Sequence, residues 1–319
     1  MEYRIHLQNG IKLSIIGVNF TDWQSNKKNF DTSNLKALLL EASKNDINFI
    51  SVSESNSNVI SDILEWEKSN NSEFYISYLI GDIIANGFMK NRLKTKNEIF
   101  SNRFTNLYDR VKMFLSKTGL KQIHFLSLYF VKSSHLKEYD FNSISKRLKN
   151  EGLITSFGLY CQFLSDAIQL ANLLELDHLE IEIDINSSPE MVNSILKIAK
   201  KRSISVICHQ KESISFQKDN NITLNDPLEN LLIQGEESFK FNINKNFDNK
   251  DEYFFDISLR KNLIGPYQAI CLKLKSINVL KIALMSLNKP FLDQNEIELI
   301  QNSINPTIYD SPKHSKNIP

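Results

Sequence analysis

The run His178-Leu-Glu180-Ile-Glu182-Ile-Asp184 carries the densest set of reactive side chains in this chain. Read as a strand, its period-two alternation places Glu180, Glu182 and Asp184 on one face and Leu179, Ile181 and Ile183 on the other. Carboxylates held that close in a low-dielectric interior repel, so at least one must take up a proton or meet a cation. Two readings stay open. In one, the acids are satisfied by Ser, Lys or His side chains around them. In the other, Glu180 and Asp184 join His209 in a new small-molecule site able to support lyase, isomerase or hydrolase chemistry. A metal centre needs ligands from several elements converging at about 2.0 to 2.2 Å, and spacing on one strand does not supply that, so no metal is assigned.

The other candidates are weaker. Cys161, Cys208 and Cys271 are an odd number and lie far apart, which fits reduced, buried thiols better than a redox or zinc motif. Phe20 and Trp23 either line a pocket or cap a first strand. Nine glycines in 319 residues are few for a fold that cradles phosphate on bare backbone.

What must position these residues is an alternation of short β-branched runs with amphipathic stretches, the signature of parallel βαβ units. Tyr3 to His6 and Lys12 to Ile16, joined through Asn9-Gly10, read as a hairpin. Strands are expected near Gly17–Phe20, Asn48–Val52, Phe74–Ile80, Gln122–Phe130, Ile154–Leu159, His178–Ile185 and Ile204–Cys208. The intervening helices are expected over Ser33–Lys44, Val59–Lys68, Glu98–Lys117, Phe141–Asn150, Ser165–Leu173 and Pro189–Lys200. A polar stretch from 210 to 249 reads as a long loop on the active-site face. A helix over Pro266–Lys275 and a run over Val279–Met285 would complete the eighth unit. The expected architecture is α/β, a (β/α)8 TIM barrel with an N-terminal β-hairpin. It forms one domain over residues 1–304 and a flexible tail over 305–319.

Composition removes several function classes. Lys plus Arg number 38 against 37 acidic residues, so no net field would draw nucleic acid or an anionic membrane. No apolar run approaches the ~20 residues of a membrane span, and the opening MEYRIHLQNG lacks a signal-peptide core. A cytoplasmic location is expected.

The opening MEYRIHLQNGIKLSIIGVNF resembles the hairpin and first strand of aldo-keto reductases, through Tyr3, Arg4, Gly10, Lys12, Ser14 and Gly17. EASKNDINFISVSES is similar to that family's second helix-to-strand junction. LKNEGLITSFGL is similar to its passage into strand five, through Glu151, Gly152, Ile154 and Gly158. IGPYQAICLKLKSINVLKIALMSLNKPFLDQN is similar to its last helix, last strand and adenosine-binding segment, through Gln268, Ala269, Leu292 and Asn295.

The resemblance implies NADPH bound at the C-terminal mouth of the barrel and a carbonyl reduced by a Tyr acid assisted by Lys, His and Asp. Laid onto this chain, the Asp position holds Ser51, the Tyr position Asn56, the Lys position Leu79 and the His position Tyr129. The pair that holds the nicotinamide amide falls on Tyr160 and Cys161, its Gln on Glu180, and the ring-stacking Tyr on His209. The phosphate-binding Gly and Arg fall on Met285 and Leu287, leaving Asn288, Lys289 and Asn295 as weak cofactor contacts. An amide has no proton to give at a useful pKa and a leucine cannot lower that of a neighbour.

The sequence therefore leads to an aldo-keto reductase-like pseudoenzyme, without a cofactor, that binds a metabolite or a protein partner. Its candidate pocket comprises Phe20, Trp23, Tyr129, Tyr160, Glu180, Asp184 and His209. The alternative is a divergent NAD(P)H-dependent oxidoreductase acting on a carbonyl substrate.

Overall fold

The computed structural model describes residues 1–21, 32–81, 106–129, 131–137, 139–184, 187–210, 250–274, 276–289, 291–294 and 296–297. A hairpin, β1 (Tyr3–Ile5) and β2 (Lys12–Ser14), precedes eight parallel strands. These are β3 (Ile16–Asn19), β4 (Phe49–Ser53), β5 (Tyr75–Ile80), β6 (Ile123–Tyr129), β7 (Ile154–Cys161), β8 (His178–Ile183), β9 (Ser205–Gln210) and β10 (Ala269–Lys273). They close in chain order, with β10 pairing to β3.

Helices α1 (Thr32–Lys44), α2 (Ser57–Asn70), α3 (Leu107–Thr118), α4 (Phe141–Asn150), α5 (Leu164–Leu173), α6 (Pro189–Arg202), α7 (Lys250–Leu263) and α8 (Ile277–Asn288) connect and flank the strands. Strand alternation divides two cores. Ile50, Val52, Ile76, Tyr78, Leu126, Leu128, Phe157, Leu159, Leu179 and Ile181 face outward onto the helices. Leu13, Phe49, Phe125, Ile207, Ala269 and Cys271 fill the lower lumen.

Local chemistry sets the element ends. Asp140 and Ser188 accept from the backbone N–H three residues on and start α4 and α6, the second with Pro189 in its first turn. Gly119 closes α3 at φ 73°, where a side chain would be strained.

The hairpin plugs the base. Its buried His6 ring packs edge-on against Phe125, with centroids 5.1 Å apart. Arg4 clasps the barrel's far end by donating to the carbonyls of Gly265, Tyr267 and Leu263 at 2.6, 2.7 and 3.0 Å.

The last βα unit corrects the sequence reading. Residues 269–273 form the eighth strand, where a helix over Pro266–Lys275 was expected, and Val279–Met285 lies inside α8 instead of forming a strand. Helix α7 was not anticipated, because its buried positions include Asp256, Ser258, Arg260 and Asn262 and so break any apolar stripe. Arg260 is satisfied from two directions, donating to Asp256 on its own helix and to Glu296 beyond α8. The expected loop lies outside the described residues, apart from Gln210, which ends β9, and so does the tail.

Candidate functional site

Parallel strands deliver their C-terminal ends to one mouth, and alternation sends Asn19, Ser53, Leu79, Tyr129, Tyr160, Glu182, His209 and Lys273 inward there. Beneath this rim lies a buried polar layer centred on Glu180. Its carboxylate accepts from Ser77 Oγ at 2.6 Å, from Ser127 Oγ, and from His209 Nε2 at 2.5 Å. Ser127 and Ser156 also meet the two ring nitrogens of His178, each at 2.7 Å.

That ring fits because β7 carries Gly158 beside it. A Cβ there would stand 2.4 Å from the His178 carbonyl oxygen and 2.5 Å from the ring. Burial opposes charge on Glu180, but its two histidine neighbours, His209 at hydrogen-bond distance and His178 just beyond it, outweigh that and hold the carboxyl well below the usual range.

The His209 tautomer is set by its neighbours. Asn19 Oδ1 accepts from the Thr21 backbone N–H at 2.8 Å, which turns the amide nitrogen toward His209 Nδ1 at 2.9 Å. Nδ1 is therefore the acceptor, and Nε2 carries the proton donated to Glu180. Both nitrogens are spent within the wall, so His209 as placed has none left to take a proton from a ligand.

Tyr160 packs against His209 at 4.6 Å and edge-on to Tyr129 at 4.9 Å, and its hydroxyl donates to Glu182 Oε1 at 2.7 Å. Burial, then the Glu182 charge, push its phenol well above the usual value. Such a phenol is a poor proton donor at neutral pH.

Of the sequence-derived pocket, the structure brings together Tyr129, Tyr160, Glu180 and His209. Asp184 exchanges hydrogen bonds with Ser187 in the turn before α6. Phe20 is buried in the core between barrel and helices, and Trp23 lies outside the described residues.

Among the positions expected to hold the reductase residues, Ser51 is buried in β4 and Leu79 is buried in β5. Asn56 donates to the carbonyls of Phe20, at 2.9 Å, and Thr21, tying down the end of β3. The Ser51 hydroxyl and Asn56 Oδ1 are buried with no hydrogen-bond partner among the described residues.

Met285, Leu287 and Asn288 occupy the last turn of α8, which runs from mouth to base, and so lie away from the rim; Asn295 is outside the described residues. The mouth end of β10 instead presents Lys273, with the Ser276-capped start of α8 close behind it in the chain. Cys161 and Cys208 point into the outer core, and burial pushes both thiols well up.

Sequence reasoning missed Asn19, Ser77, Ser127 and Lys273. Nothing in their types marked them, because only barrel closure sets them around Glu180 and the rim. Among the described residues no three His, Cys, Asp or Glu side chains are grouped to hold a metal. None of the described helices is long and apolar enough to cross a membrane.

No protein-family model and no curated protein matches the chain. Solved structures do. An aldo-keto reductase from Bacillus halodurans in its holo form is 14% identical, with 98% of this chain and 99% of that one covered and a TM-score of 0.66. A thermostable aldo-keto reductase in complex with the inhibitor epalrestat is 10% identical, covering 95% and 100%, with a TM-score of 0.63. An aldo-keto reductase from a deep-sea metagenome library is 14% identical, covering 94% of each chain, with a TM-score of 0.56. Hairpin, barrel order and these likenesses together establish that the chain has the aldo-keto reductase fold.

Proposed function

We propose that this barrel is a non-redox relative of the aldo-keto reductases that binds a small molecule at its mouth. One observation carries the reading: the side chain at the proton-donor position, Asn56, is an amide that spends its donors on the carbonyls of Phe20 and Thr21. Its neighbours cannot substitute. Leu79 offers no cation, Tyr160 is held as a weak acid by burial and Glu182, and Tyr78 is stacked on Phe114 at 3.7 Å in the outer core. The nicotinamide end of a dinucleotide does not fit these residues, because Glu180 and His209 are already bonded to one another and Cys161 faces outward.

Calorimetric titration with NADPH and NADP⁺, together with NADPH oxidation across varied aldehydes, tests this. The expected result is no turnover with any carbonyl. Micromolar cofactor binding with turnover overturns it.

One observation favours a second reading, a divergent NAD(P)H-dependent enzyme. Lys273 and the Ser276-capped helix start stand where a phosphate could be met. It predicts that Lys273→Ala weakens NADPH binding.

A further inference from the structure

The turn of the base hairpin is an Asn9-Gly10 step, one of two in the chain; the other, Asn86-Gly87, lies outside the described residues. The turn demands this pair for its shape. Gly10 adopts φ 70°, as a tight hairpin turn requires, and Gln8 and Gly10 are exposed at the tip. The same pair is chemically labile. With no side chain on the glycine to obstruct it, the backbone nitrogen after the asparagine can attack the carboxamide carbon.

That reaction needs only water. Gly10 N bonds to Asn9 Cγ, the Cγ–Nδ2 bond breaks, and Nδ2 leaves as ammonia with the proton that Gly10 N gives up, closing a cyclic imide. Water then opens either imide carbonyl. One opening gives aspartate. The other gives isoaspartate, in which the main chain runs through Cγ and is longer by one carbon.

The docked hairpin blocks this sequence at both reacting nitrogens. The Gly10 N–H donates to the His6 carbonyl at 3.0 Å, so the proton that must be lost is engaged. Asn9 Nδ2 is buried with no partner among the described residues, so nothing there can protonate a departing ammonia. Asn9 Oδ1 accepts from the Ile11 N–H at 3.1 Å, which polarises the carboxamide but also fixes its rotation. Polarisation alone does not help a leaving group that water cannot reach. The hairpin is kept in this state by its bonds to the barrel: the Arg4 clasp, the Leu7 N–H on Ser205 Oγ at 2.8 Å, and Gln8 Nε2 on the Ser203 carbonyl at 2.8 Å.

We infer that Asn9 is a deamidation site gated by docking of the hairpin, so that a transient release of the amino terminus is converted into a permanent one. Docked, the asparagine is protected. Released, it exposes a free Gly10 nitrogen and a solvated carboxamide. Neither product fits back. Isoaspartate lengthens the turn and breaks the register that pairs His6 with Ile11, and aspartate puts a charge where an uncharged nitrogen is now buried. The inference is independent of what the mouth binds.

The full-length protein is incubated at mildly alkaline pH, folded and in urea, and the exchange of amide for acid at Asn9 is followed by peptide mass spectrometry, with isoaspartate separated by chromatography. Asn86 in urea is the reference for an unfolded Asn-Gly step. Asn9 should react at least roughly tenfold more slowly in the folded protein than in urea. Arg4→Ala, which removes the clasp, should speed Asn9 in a protein that still melts cooperatively. Gln8→Ala, which loses only the bond to Ser203, should do so to a smaller extent. Deamidated protein should exchange the His6 and Ile15 amide hydrogens of the hairpin quickly while the barrel strands keep theirs. Equal Asn9 rates in folded and urea-treated protein overturn the gating, as do Arg4→Ala and Gln8→Ala proteins no faster than the parent. An Asn9 left intact in urea while Asn86 reacts overturns the site itself. Hairpin amides that stay protected after deamidation overturn the permanence.

Discussion

The two ends of this barrel are built by opposite rules. At the base, Phe49, Phe125, Leu13 and Ile207 pack under a hairpin plug, and Arg4 satisfies three carbonyls at once. At the mouth, carboxylates lie close together and a histidine is held in one tautomer, whereas buried polar atoms without partners among the described residues occur at both ends, on Ser51 and Asn56 above and on His6 and Asn9 in the hairpin. The base devotes its residues mainly to apolar packing. The mouth commits them to a buried polar layer around Glu180, which is where a barrel of this kind places a ligand.

The largest test of that contrast lies at the junction of the two regions. Gly158→Ala should cost about 3 kcal/mol or more, because its Cβ would meet the His178 backbone and ring inside a closed barrel. A melting curve checks it, and a near-normal melting temperature would mean that the two halves are less tightly registered than the geometry says.

Next comes the central acid. Glu180→Ala should cost roughly 3 kcal/mol in denaturant unfolding, since it strands Ser77, Ser127 and His209. Glu180→Gln should recover much of the loss, because the amide still accepts. Equal losses in both variants would show that negative charge, rather than hydrogen-bond geometry, holds the layer.

The base offers a pH test. Burial first, and then the neighbouring His178, push the His6 imidazole down from 6.5 to about 3. The folded state therefore binds fewer protons than the unfolded one between those values. Stability is complete above the unfolded pKa and falls as pH drops below about 6.5, by about 1.4 kcal/mol per unit at most. His6→Phe should flatten that slope in unfolding curves measured at pH 7 and pH 5.

The smallest expected effect is at the mouth. Ser51→Ala removes an orphan hydroxyl and should change stability by less than about 0.5 kcal/mol, in either direction. A larger loss would reveal a partner for the hydroxyl and weaken the contrast.

Seven barrel strands were legible in the sequence, from β3 through β9, because each is a short apolar run that sends alternate residues to a helix-covered outer face. The eighth unit was not. Helix α7 buries Asp256 and Arg260, and the partner that makes this tolerable, Glu296, lies 36 residues further on. No local pattern reports it. Aliphatic density in Val279-Leu-Lys-Ile-Ala-Leu then mimicked a strand.

At the site, Glu180 follows the reading in which the acids are satisfied by serine and histidine side chains around them, since it accepts from Ser77, Ser127 and His209. Its supporting residues were invisible, since serines and an asparagine gain their role only when β3, β5, β6, β8 and β9 surround one lumen. The displaced final strand also moved the expected phosphate contacts onto the far end of α8.

The Arg4 clasp constrains how the molecule can be made. Its three acceptors lie 259 to 263 residues downstream, so Arg4 has nothing to clasp until the segment leading into β10 has been synthesised. Loop closure over that span is slow. During synthesis the hairpin must wait, unseated, and the lower lumen stays open until the final strand arrives; anything that ties up the amino terminus in that interval should trap an unsealed cylinder.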